Sequence, residues 1–432
     1  MLRIYEITTK ETLRVKNFAG IQDADFELSR MNVFIGPQAS GKSVCAKLLF
    51  YFKEIIRRIA VDVQLGETKP QIRTKHKDQF LNYFPPSCWG KGAFEVQYSF
   101  GDLWIKVERA ANESSTVKVS YSDYYDALLY AGRKALKKAQ AEEDAGSLEA
   151  STLDETRKSI AEKVSHDIGR VLGNQNYFIP AGRSFFSTLR GAVFTFIAGN
   201  VGIDPFLAEF GRLYESIRRV HNSPPSPKSM RNKQINGLIS KLICGTYKRT
   251  AGSDYIQADD GRQVTVENSS SGQQEALPLA LLLARIGRTT GGAARSTFFV
   301  EEPEAHLYPR AQREIVHLLS AVTDLSSDET SSQYVITTHS PYILSALNNL
   351  MYGEQIARHK PEKRDQVRSV LGGASLVAPA SVRAYSFADG RVESIIDAET
   401  ELVEAIALDK VSNELASEFE ALVDIFYEEQ AA

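Results

Sequence analysis

Two short strings, far apart in the chain, carry the residue types that bind and cleave a nucleoside triphosphate. The first occupies positions 36–43 and fits the pattern G-x-x-x-x-G-K-[ST]. Backbone N–H groups of such a loop, at a helix N-terminus, hold the β-phosphate, while Lys42 reaches the β and γ oxygens and Ser43 ligates Mg²⁺. The residues expected to bind ATP or GTP with Mg²⁺ are Gly36, Pro37, Gln38, Ala39, Ser40, Gly41, Lys42 and Ser43.

The second string, Phe298–Glu302, is an apolar run that ends in the adjacent carboxylates of Glu301 and Glu302. Paired buried carboxylates rarely serve a structural purpose, because like charges at close range are costly without a cation. The pair therefore indicates a cation-dependent role in the same nucleotide site.

A serine-rich segment at 269–275 precedes an apolar, helix-like run at 276–286. A serine and a glycine amide at a helix start form an anion site, and Ser271 with Gln274 has the spacing of a capping box. Pro278 removes a helical hydrogen bond, so we expect the helix to kink there or to begin later. The candidate anion-binding residues are Ser270, Ser271, Gly272 and Gln273.

Two further strings follow apolar strands. Tyr334–Thr338 leads into His339, and the segment 177–184 ends in Ala-Gly-Arg-Ser, which includes Arg183. A histidine at a strand end is usually structural, so its significance depends on the order of the other motifs. Gln175 fits two interpretations, a glutamine that senses the nucleotide or a residue of a strand-end turn.

The elements that must position these groups are readable from hydrophobic periodicity. A buried strand at 31–35 and an apolar-faced helix at 43–50 flank the glycine loop. Further predicted strands lie at 93–98, 104–109 and 116–121, hairpins at 255–266 and 384–396, and helices at 124–141 and 153–172. The Asp-Gly pairs at 260–261 and 389–390 mark the two hairpin turns.

Composition indicates a folded protein, with 432 residues, 43% hydrophobic and 24% charged. A single core stops growing near ~250–300 residues, so two lobes are expected. No apolar run approaches the ~20 residues of a membrane helix. Three scattered cysteines fit small core residues in a reducing cytoplasm, and no signal peptide is visible, so we expect a cytoplasmic protein without a membrane partner.

Charge is unevenly distributed along the chain. From Asp389 onward there are thirteen Asp and Glu residues against Arg391 and Lys410, so this part carries a net charge of −11 while the whole chain carries −3. Basic clusters elsewhere fit either solvated surface or contact with DNA. They lie at 57–58, 73–77, 133–138 and 218–219.

These motifs, taken together, resemble those of the soluble ABC ATPases, in particular the SMC-like and OLD-like branches. The string at 269–275 is similar to their S-G-G-Q signature, 301–309 to the D-E-P-E-x-H-L-H-P segment, and 177–184 to I-P-A-x-R. The resemblance implies that Glu301 orients Mg²⁺ and that Glu302 polarises the attacking water. It also makes His339 the switch histidine and Arg183 a residue of the nucleotide site. Glu301 stands where the family usually has Asp, which puts the metal distance in question.

The fold class implied is α/β: a P-loop NTPase of the ABC ATPase type, with a mixed sheet, an antiparallel β subdomain and an inserted helical lobe. We expect the phosphate loop and β subdomain in 1–122, a helical insertion in 123–250, and the second half of the ATPase domain in 251–345. An acidic hairpin and helices should follow in 346–432.

The resemblance extends to the AriA ATPases of the PARIS anti-phage system. It implies a homo-oligomer, at least an ATP-sandwich dimer, that holds a separate TOPRIM-type, AriB-like nuclease and releases it when a phage-encoded trigger protein is sensed. After His339 there is no D-x-D, so we expect any nuclease to be another chain. A RecF- or Rad50-like repair ATPase that binds DNA is the alternative. A transporter subunit is disfavoured, because the segment between Lys42 and the signature is too long for that compact domain.

Overall fold

The computed structural model of the chain describes residues 10–110, 116–145, 158, 175–188, 203–220, 230–250, 252–289, 296–322, 332–404 and 417. Strands within these ranges are β1 (Glu11–Phe18), β2 (Ile21–Leu28), β3 (Met31–Ile35), β4 (Phe94–Phe100), β5 (Leu103–Arg109), β6 (Lys118–Tyr121), β7 (Gln175–Ile179), β8 (Thr246–Thr250), β9 (Ser253–Gln257), β10 (Gln263–Thr265), β11 (Ser296–Glu301), β12 (Gln333–Thr338), β13 (Val382–Ala388) and β14 (Arg391–Ser394).

The α-helices in the same ranges are α1 (Lys42–Gln64), α2 (Lys69–Tyr83), α3 (Asp123–Asp144), α4 (Phe185–Thr188), α5 (Pro205–Val220), α6 (Met230–Leu242), α7 (Ser271–Thr289), α8 (Pro309–Val322), α9 (Pro341–His359) and α10 (Arg364–Val370). Short 3₁₀ helices occur at Pro86–Cys88, Val266–Asn268, Pro361–Lys363 and Pro379–Ser381. None of the described helices has the length and apolar composition needed to cross a bilayer.

One mixed sheet of 11 strands organises the fold, in the order β6-β5-β4-β1-β2-β14-β13-β3-β12-β11-β7. The run from β13 to β7 is parallel, and the run from β6 to β2 is antiparallel. The hairpin of β13 and β14 joins the halves, since β14 pairs antiparallel with β13 and parallel with β2. A separate three-stranded sheet has the order β10-β9-β8.

The burial patterns explain the two halves. Strands β3, β11 and β12 are buried at every position, as parallel strands covered on both faces must be. Strands β4 and β5 instead alternate between buried and partly exposed positions, because one face of an antiparallel sheet can meet water.

Two apolar clusters cover the opposite faces of the parallel half. Val33, Val300 and Ile336 belong to the cluster that includes α5 to α9. Phe34 and its neighbours on β11 and β12 point the other way, into the cluster around α1 and the antiparallel strands. This alternation fixes the strand register, because a slip of one residue would exchange the two sets of side chains.

Most of the predicted elements are present. The three strands expected between 93 and 121 are β4 to β6, the predicted hairpins are β9–β10 and β13–β14, and the helix predicted at 124–141 is α3. The helix predicted at 153–172 lies outside the described residues except for Lys158, as do the C-terminal helices expected after 404 except for residue 417.

Two expectations about domain organisation need correction. The range 123–250 is not solely a helical insertion, because β7 is the edge strand of the main sheet. The range 346–432 is not separate from the preceding fold, because β13 pairs with β3 along Val382–Ser386.

Candidate nucleotide-binding and hydrolytic site

Four neighbouring parallel strands deliver the predicted functional segments to one edge of the sheet. Strand β3 runs into the glycine loop, β12 into His339, β11 into the glutamate pair, and β7 into the segment that contains Arg183. The registers Ile35↔Thr338 and Glu301↔Thr337 align the ends of β3, β12 and β11. The carboxyl edge of parallel strands is where α/β proteins bind ligands, so the motifs converge on one site.

The glycine loop has room only for glycine at two positions. Gly36 has φ +155°, and a Cβ there would lie 2.3 Å from the backbone oxygen of Phe387. Gly41 has φ +99°, and a Cβ there would lie 2.7 Å from Cγ1 of Ile21. Strand β13 and the start of β2 therefore fix the path of the loop before it enters α1.

Lys42 is buried and lies folded onto this loop. Its Nζ donates to the carbonyl oxygens of Gly36 (2.8 Å) and Pro37 (2.6 Å) and to Oγ of Ser40 (3.2 Å). Burial lowers the pKa of Lys42, and the charges of Glu302 and Glu304 oppose that shift. An ammonium group held by neutral oxygens beside two carboxylates is suited to exchange those oxygens for phosphate oxygens.

Glu301 and Ser43 meet where the sequence predicts a metal site. Glu301 is 6% exposed, and burial raises its pKa, while the charge of Lys47 and a hydrogen bond with Ser43 act in the opposite direction. Within the described part of the chain, Oε1 of Glu301 has no hydrogen-bond partner. A hydroxyl and a buried carboxylate with an unused oxygen fit Mg²⁺, which prefers hard oxygen ligands and few protein groups. The longer glutamate side chain thus still reaches Ser43.

Glu302 pairs with His339 at the same edge, with 3.3 Å between Oε1 and Nε2. Both side chains are about one-third exposed, at 37% and 35%. The backbone of Glu302 adopts φ +43°, and its N–H donates to the carbonyl of Thr337 at 2.9 Å. Such strain in a non-glycine residue is typical of functional positions, and here it turns a carboxylate toward an accessible histidine.

Glu304 holds the histidine segment in place, a role that the sequence analysis did not assign. One oxygen, Oε1, accepts from Oγ1 of Thr338 (2.8 Å) and from the backbone N–H of His339 (2.7 Å). The signal for it is the third carboxylate of the string Glu301–Glu304, placed in the turn just after the strand. The strand β12 and the turn after β11 are thereby tied together beside the catalytic candidates.

Arg183 is close to the site but does not face a ligand. It is fully buried, and its guanidinium donates to the backbone oxygens of Pro180 (3.0 Å), Glu301 (2.8 Å) and Glu302 (3.1 Å), and through Nε to that of Glu275 (3.0 Å). Direct nucleotide contact, expected from the resemblance, does not fit this geometry, because the side chain is fully buried and four of its five N–H donors bond to carbonyl groups. Arg183 instead positions the carbonyl side of the glutamate pair.

Glu275 completes this arrangement and was also missed. Its carboxylate accepts from the backbone N–H groups of Arg183 and Ser184, both at 2.9 Å, and Oε2 lies 3.4 Å from Nε of Arg183. Glu275 belongs to α7, so this contact connects the serine-rich segment to the glutamate pair through one buried arginine.

The cap of α7 differs by one residue from the prediction. Ser270, not Ser271, forms the reciprocal pair, and its partner is Gln273. Gln273 is anchored in turn, because its Nε2 donates to the carbonyl of Ile243 at 2.7 Å. Gln274 donates to the carbonyl oxygens of Glu267 and Ser269, each at 3.0 Å.

The start of α7 packs closely on the turn that follows the glutamate pair. A Cβ on Gly272 would lie 2.8 Å from the backbone oxygen of His306, so glycine is required for this approach. Ser270 and Ser271 remain exposed. Pro278 lies within α7, which runs from Ser271 through Thr289, so the later start weighed in the sequence analysis is wrong.

The structure changes two other sequence expectations. Gln175 begins β7 and pairs with Ser296, which places it at the amino edge, opposite the site. Three residues of the basic clusters form ion pairs within the protein, namely Arg57 with Glu54, Lys75 with Asp62 and Glu67, and Arg218 with Asp254. These three side chains therefore have a structural role.

A model of the family described as "AAA domain, putative AbiEii toxin, Type IV TA system" matches residues 100–345. The chain is similar to the SMC head domain from Thermotoga maritima at 14% identity, over 92% of this chain and 100% of that one, with a TM-score of 0.37. It is similar at 12% identity to the Smc head domain with an extended coiled coil bound to the C-terminal domain of ScpA, derived from Pyrococcus furiosus, over 95% and 99%, with a TM-score of 0.39. A third similarity, to an SmcHead bound to the C-winged helix domain of ScpA, has 13% identity, 91% and 98% coverage and a TM-score of 0.41.

Proposed function

The chain belongs to the AAA-domain family described as putative AbiEii toxin, type IV toxin–antitoxin system, and from this premise we propose that it is a Mg²⁺-dependent ATPase that acts as sensor and scaffold in an anti-phage system. The observation that carries the ATPase part is the edge where Lys42, the Ser43–Glu301 pair and the Glu302–His339 pair meet. Each group suits one task in the transfer of a γ-phosphoryl group to water.

The proposed chemistry assigns a step to each residue. Lys42 and the loop N–H groups hold the β and γ oxygens. Ser43 with Glu301 would hold Mg²⁺, which would supply positive charge at the transferred phosphoryl group. Glu302 accepts a proton from the attacking water, and His339 contacts the γ-phosphate. Glu304 and Arg183 keep His339 and the glutamate pair in position without touching the substrate.

A dimer is part of the proposal. The exposed start of α7, where Ser271 follows the capping Ser270, can meet the phosphates on a second copy of the chain, with Gly272 and Gln273 shaping that start. The contacts of the two segments support this proposal. Lys42 contacts its own loop, whereas the serine-rich segment contacts Ile243, Glu267 and the turn at His306. Two copies would enclose two nucleotides, and a larger homo-oligomer can be built on that unit.

The substitution Glu302→Gln tests the assignment of the base. Removal of a positioned base should lower turnover by ~10²–10⁴, while ATP binding remains because Lys42 and the loop are intact. Phosphate release and retained nucleotide are measured side by side, with Glu362→Gln, an exposed glutamate far along the chain, as the matched control. Turnover in Glu302→Gln within threefold of wild type would remove Glu302 from the role.

The dimer is tested in the background of Glu302→Gln. Light scattering with ATP should give at least a dimer, and the additional change Ser271→Ala should leave ATP bound but reduce the dimer. A strict monomer with ATP would contradict the sandwich arrangement.

The proposed partner is a separate TOPRIM-type, AriB-like toxin that is held until a phage-encoded protein is sensed. The family description, which names a toxin–antitoxin system, supports this direction. A nuclease needs positive surface to bind nucleic acid, and the acidic surplus from Asp389 onward offers a complementary charge. Glu393 and Glu401 are exposed members of that surplus.

Charge reversal tests this contact. Glu393→Lys combined with Glu401→Lys should weaken retention of the neighbouring gene product in a pull-down and leave ATP hydrolysis unchanged. Asp397 is left intact, because its Oδ1 accepts from the N–H groups of Glu399 (3.1 Å) and Thr400 (2.7 Å) and shapes the turn. Unchanged retention would rule out this acidic surface as the docking site.

A further inference from the structure

An arginine-lined cavity lies away from the nucleotide edge. Its volume is about 170 Å³, and its walls include Arg231, Gln234, Glu354, Arg364 and Arg368. It sits beside the last turn of α8, where Ser320 and Ala321 line it. Helix α8 begins just after the glutamate pair and ends before β12, so the cavity lies toward the amino edge of the parallel strands.

The polar wall of the cavity is anchored. Arg231 caps α8, since its Nε donates to the carbonyl of Ala321 at 3.1 Å and its Nη2 to that of Val322. Arg364 is held by Glu354, whose two carboxylate oxygens accept from Nη2 at 2.9 and 2.8 Å. Fixed guanidinium groups lose little conformational entropy when a ligand binds, so this wall is preorganised.

The charge balance of the wall favours an anion. Three arginines face one carboxylate, which leaves a surplus of two positive charges among the lining residues. The bond from Arg364 to Glu354 uses Nη2 alone, and that from Arg231 uses Nε and Nη2. Further N–H donors therefore remain on both guanidinium groups. Arginine binds tetrahedral phosphoryl oxygens through paired N–H donors.

Helices α8 and α9, which both line the cavity, begin near the nucleotide edge. Helix α9 begins at Pro341, capped by Ser340 directly after His339, and Glu354 lies several turns further along the same helix. Helix α8 is joined to that same cap, because Oγ of Ser340 donates to Oε1 of Gln312 at 2.5 Å. An anion bound between the C-terminal parts of α8 and α9 therefore contacts the two helices whose N-terminal ends lie beside His339.

We propose that this cavity is an effector site for a phosphoryl group, free or carried on a small metabolite, and that its occupation changes turnover at the nucleotide edge. The volume accommodates one such group with a few waters. The binding claim is independent of the proposed ATPase activity, and only the effect on turnover rests on it. Coupling between distinct sites is expected to be modest, of the order of 5–150-fold in affinity.

Calorimetric titration of the full chain tests the binding claim. Inorganic phosphate, glycerol phosphate and acetate are titrated separately into Lys42→Ala, in which the glycine loop no longer competes for phosphate. Phosphate and glycerol phosphate should bind and acetate should not; binding of phosphate alone identifies the free ion as the ligand. Arg368→Ala, in the same background, should weaken binding at least tenfold, because it removes one of the three guanidinium groups that line the cavity. Arg368 is exposed, so its loss should leave the anchored wall folded.

The matched control is Arg358→Ala, an exposed arginine of α9 that does not line the cavity. It should bind phosphate like its parent. The proposal is overturned if Lys42→Ala binds no phosphate, or if Arg358→Ala and Arg368→Ala weaken binding equally. For the coupling, phosphate should change the ATPase rate of otherwise wild-type protein and fail to do so in Arg368→Ala; the same change in both would overturn it.

Discussion

Glu11 and Glu301 are two glutamates of one sheet, buried to 5% and 6% exposure, with different surroundings. Glu11 begins the antiparallel half, and both of its oxygens are satisfied: Oε1 lies 2.5 Å from Nζ of Lys53 and accepts from Tyr98, and Oε2 accepts from Gln333. Glu301 ends a parallel strand, its Oε1 has no hydrogen-bond partner within the described residues, and burial raises its pKa.

Glu11 is a buried charge that stabilises the fold through partners within the protein, whereas Glu301 is a buried charge that is available to bind a ligand. A buried carboxylate costs free energy unless it is paired. In the antiparallel half Lys53 pairs with Glu11 and offsets that cost. At the carboxyl edge of the parallel half Ser43 and Lys47 offset it only in part, because burial still raises the pKa of Glu301 and its Oε1 has no partner within the described residues. The nucleotide site is therefore expected to be the part of the molecule that gains most from Mg²⁺ and ATP.

Arg183 should show the largest stability effect, because it belongs to the paired class although it lies near the site. Arg183→Met leaves Glu275 buried without its cation and frees the carbonyls of Glu301 and Glu302, and we expect a loss of about 4 kcal/mol. Urea unfolding measures it, with Arg358→Met as the exposed control. A loss below about 1 kcal/mol, the level of a surface pair, would place Arg183 in the other class.

The two glutamates themselves should respond in opposite directions. Glu11→Gln leaves Lys53 without its counter-charge and should cost about 3 kcal/mol in the unfolding free energy. Glu301→Gln removes an unmatched buried charge and should raise the stability of the ligand-free protein at neutral pH. Equal losses in both variants would contradict the comparison.

The pH dependence of stability provides a further test of the behaviour expected of Glu301. The pKa of Glu301 is raised above 4.5 in the folded state, so the folded protein binds more protons than the unfolded chain between 4.5 and that higher value. The contribution of Glu301 to stability therefore falls as pH rises through this window. The difference in unfolding free energy between Glu301→Gln and wild type should grow with pH across it, and Mg²⁺ with ATP should reduce it.

The smallest effect is expected at the cap of α7. Ser270→Ala removes the capping oxygen and should cost about 1 kcal/mol, whereas Ser271→Ala should cost little, because Ser271 does not form the reciprocal pair. Thermal unfolding of the two variants measures the contrast. A larger loss for Ser271→Ala would restore the cap predicted from the sequence.

The site was predictable where its signal is local. The glycine loop is a contiguous octet, and the strands before it and before Glu301 are short, mainly apolar runs, so their order alone predicted that Lys42, Glu301 and Glu302 meet at one edge. The cap of α7 was ambiguous, because Ser270–Gln273 and Ser271–Gln274 have the same spacing. In the structure Ser270 and Gln273 form the cap, and Gln273 also donates to the carbonyl of the distant Ile243.

The other features could not be predicted, because they depend on contacts between segments that are far apart in the sequence. Strand β13 enters the sheet beside β3, although the two strands lie near opposite ends of the chain, and no periodicity in either segment encodes that pairing. The burial of Arg183 likewise depends on the carbonyl groups of Pro180, Glu301 and Glu302, at or just after the ends of β7 and β11, and on Glu275 from α7. A motif match gives the neighbourhood of such a residue but not the direction of its side chain.

The most direct test of the nucleotide site is the rate of phosphate release from Mg²⁺-ATP by wild type and by Lys42→Ala. We predict turnover by wild type that requires Mg²⁺, and neither ATP binding nor phosphate release above background by Lys42→Ala, because the only ammonium on the loop is lost. ATP binding by Lys42→Ala together with turnover within threefold of wild type would contradict this prediction.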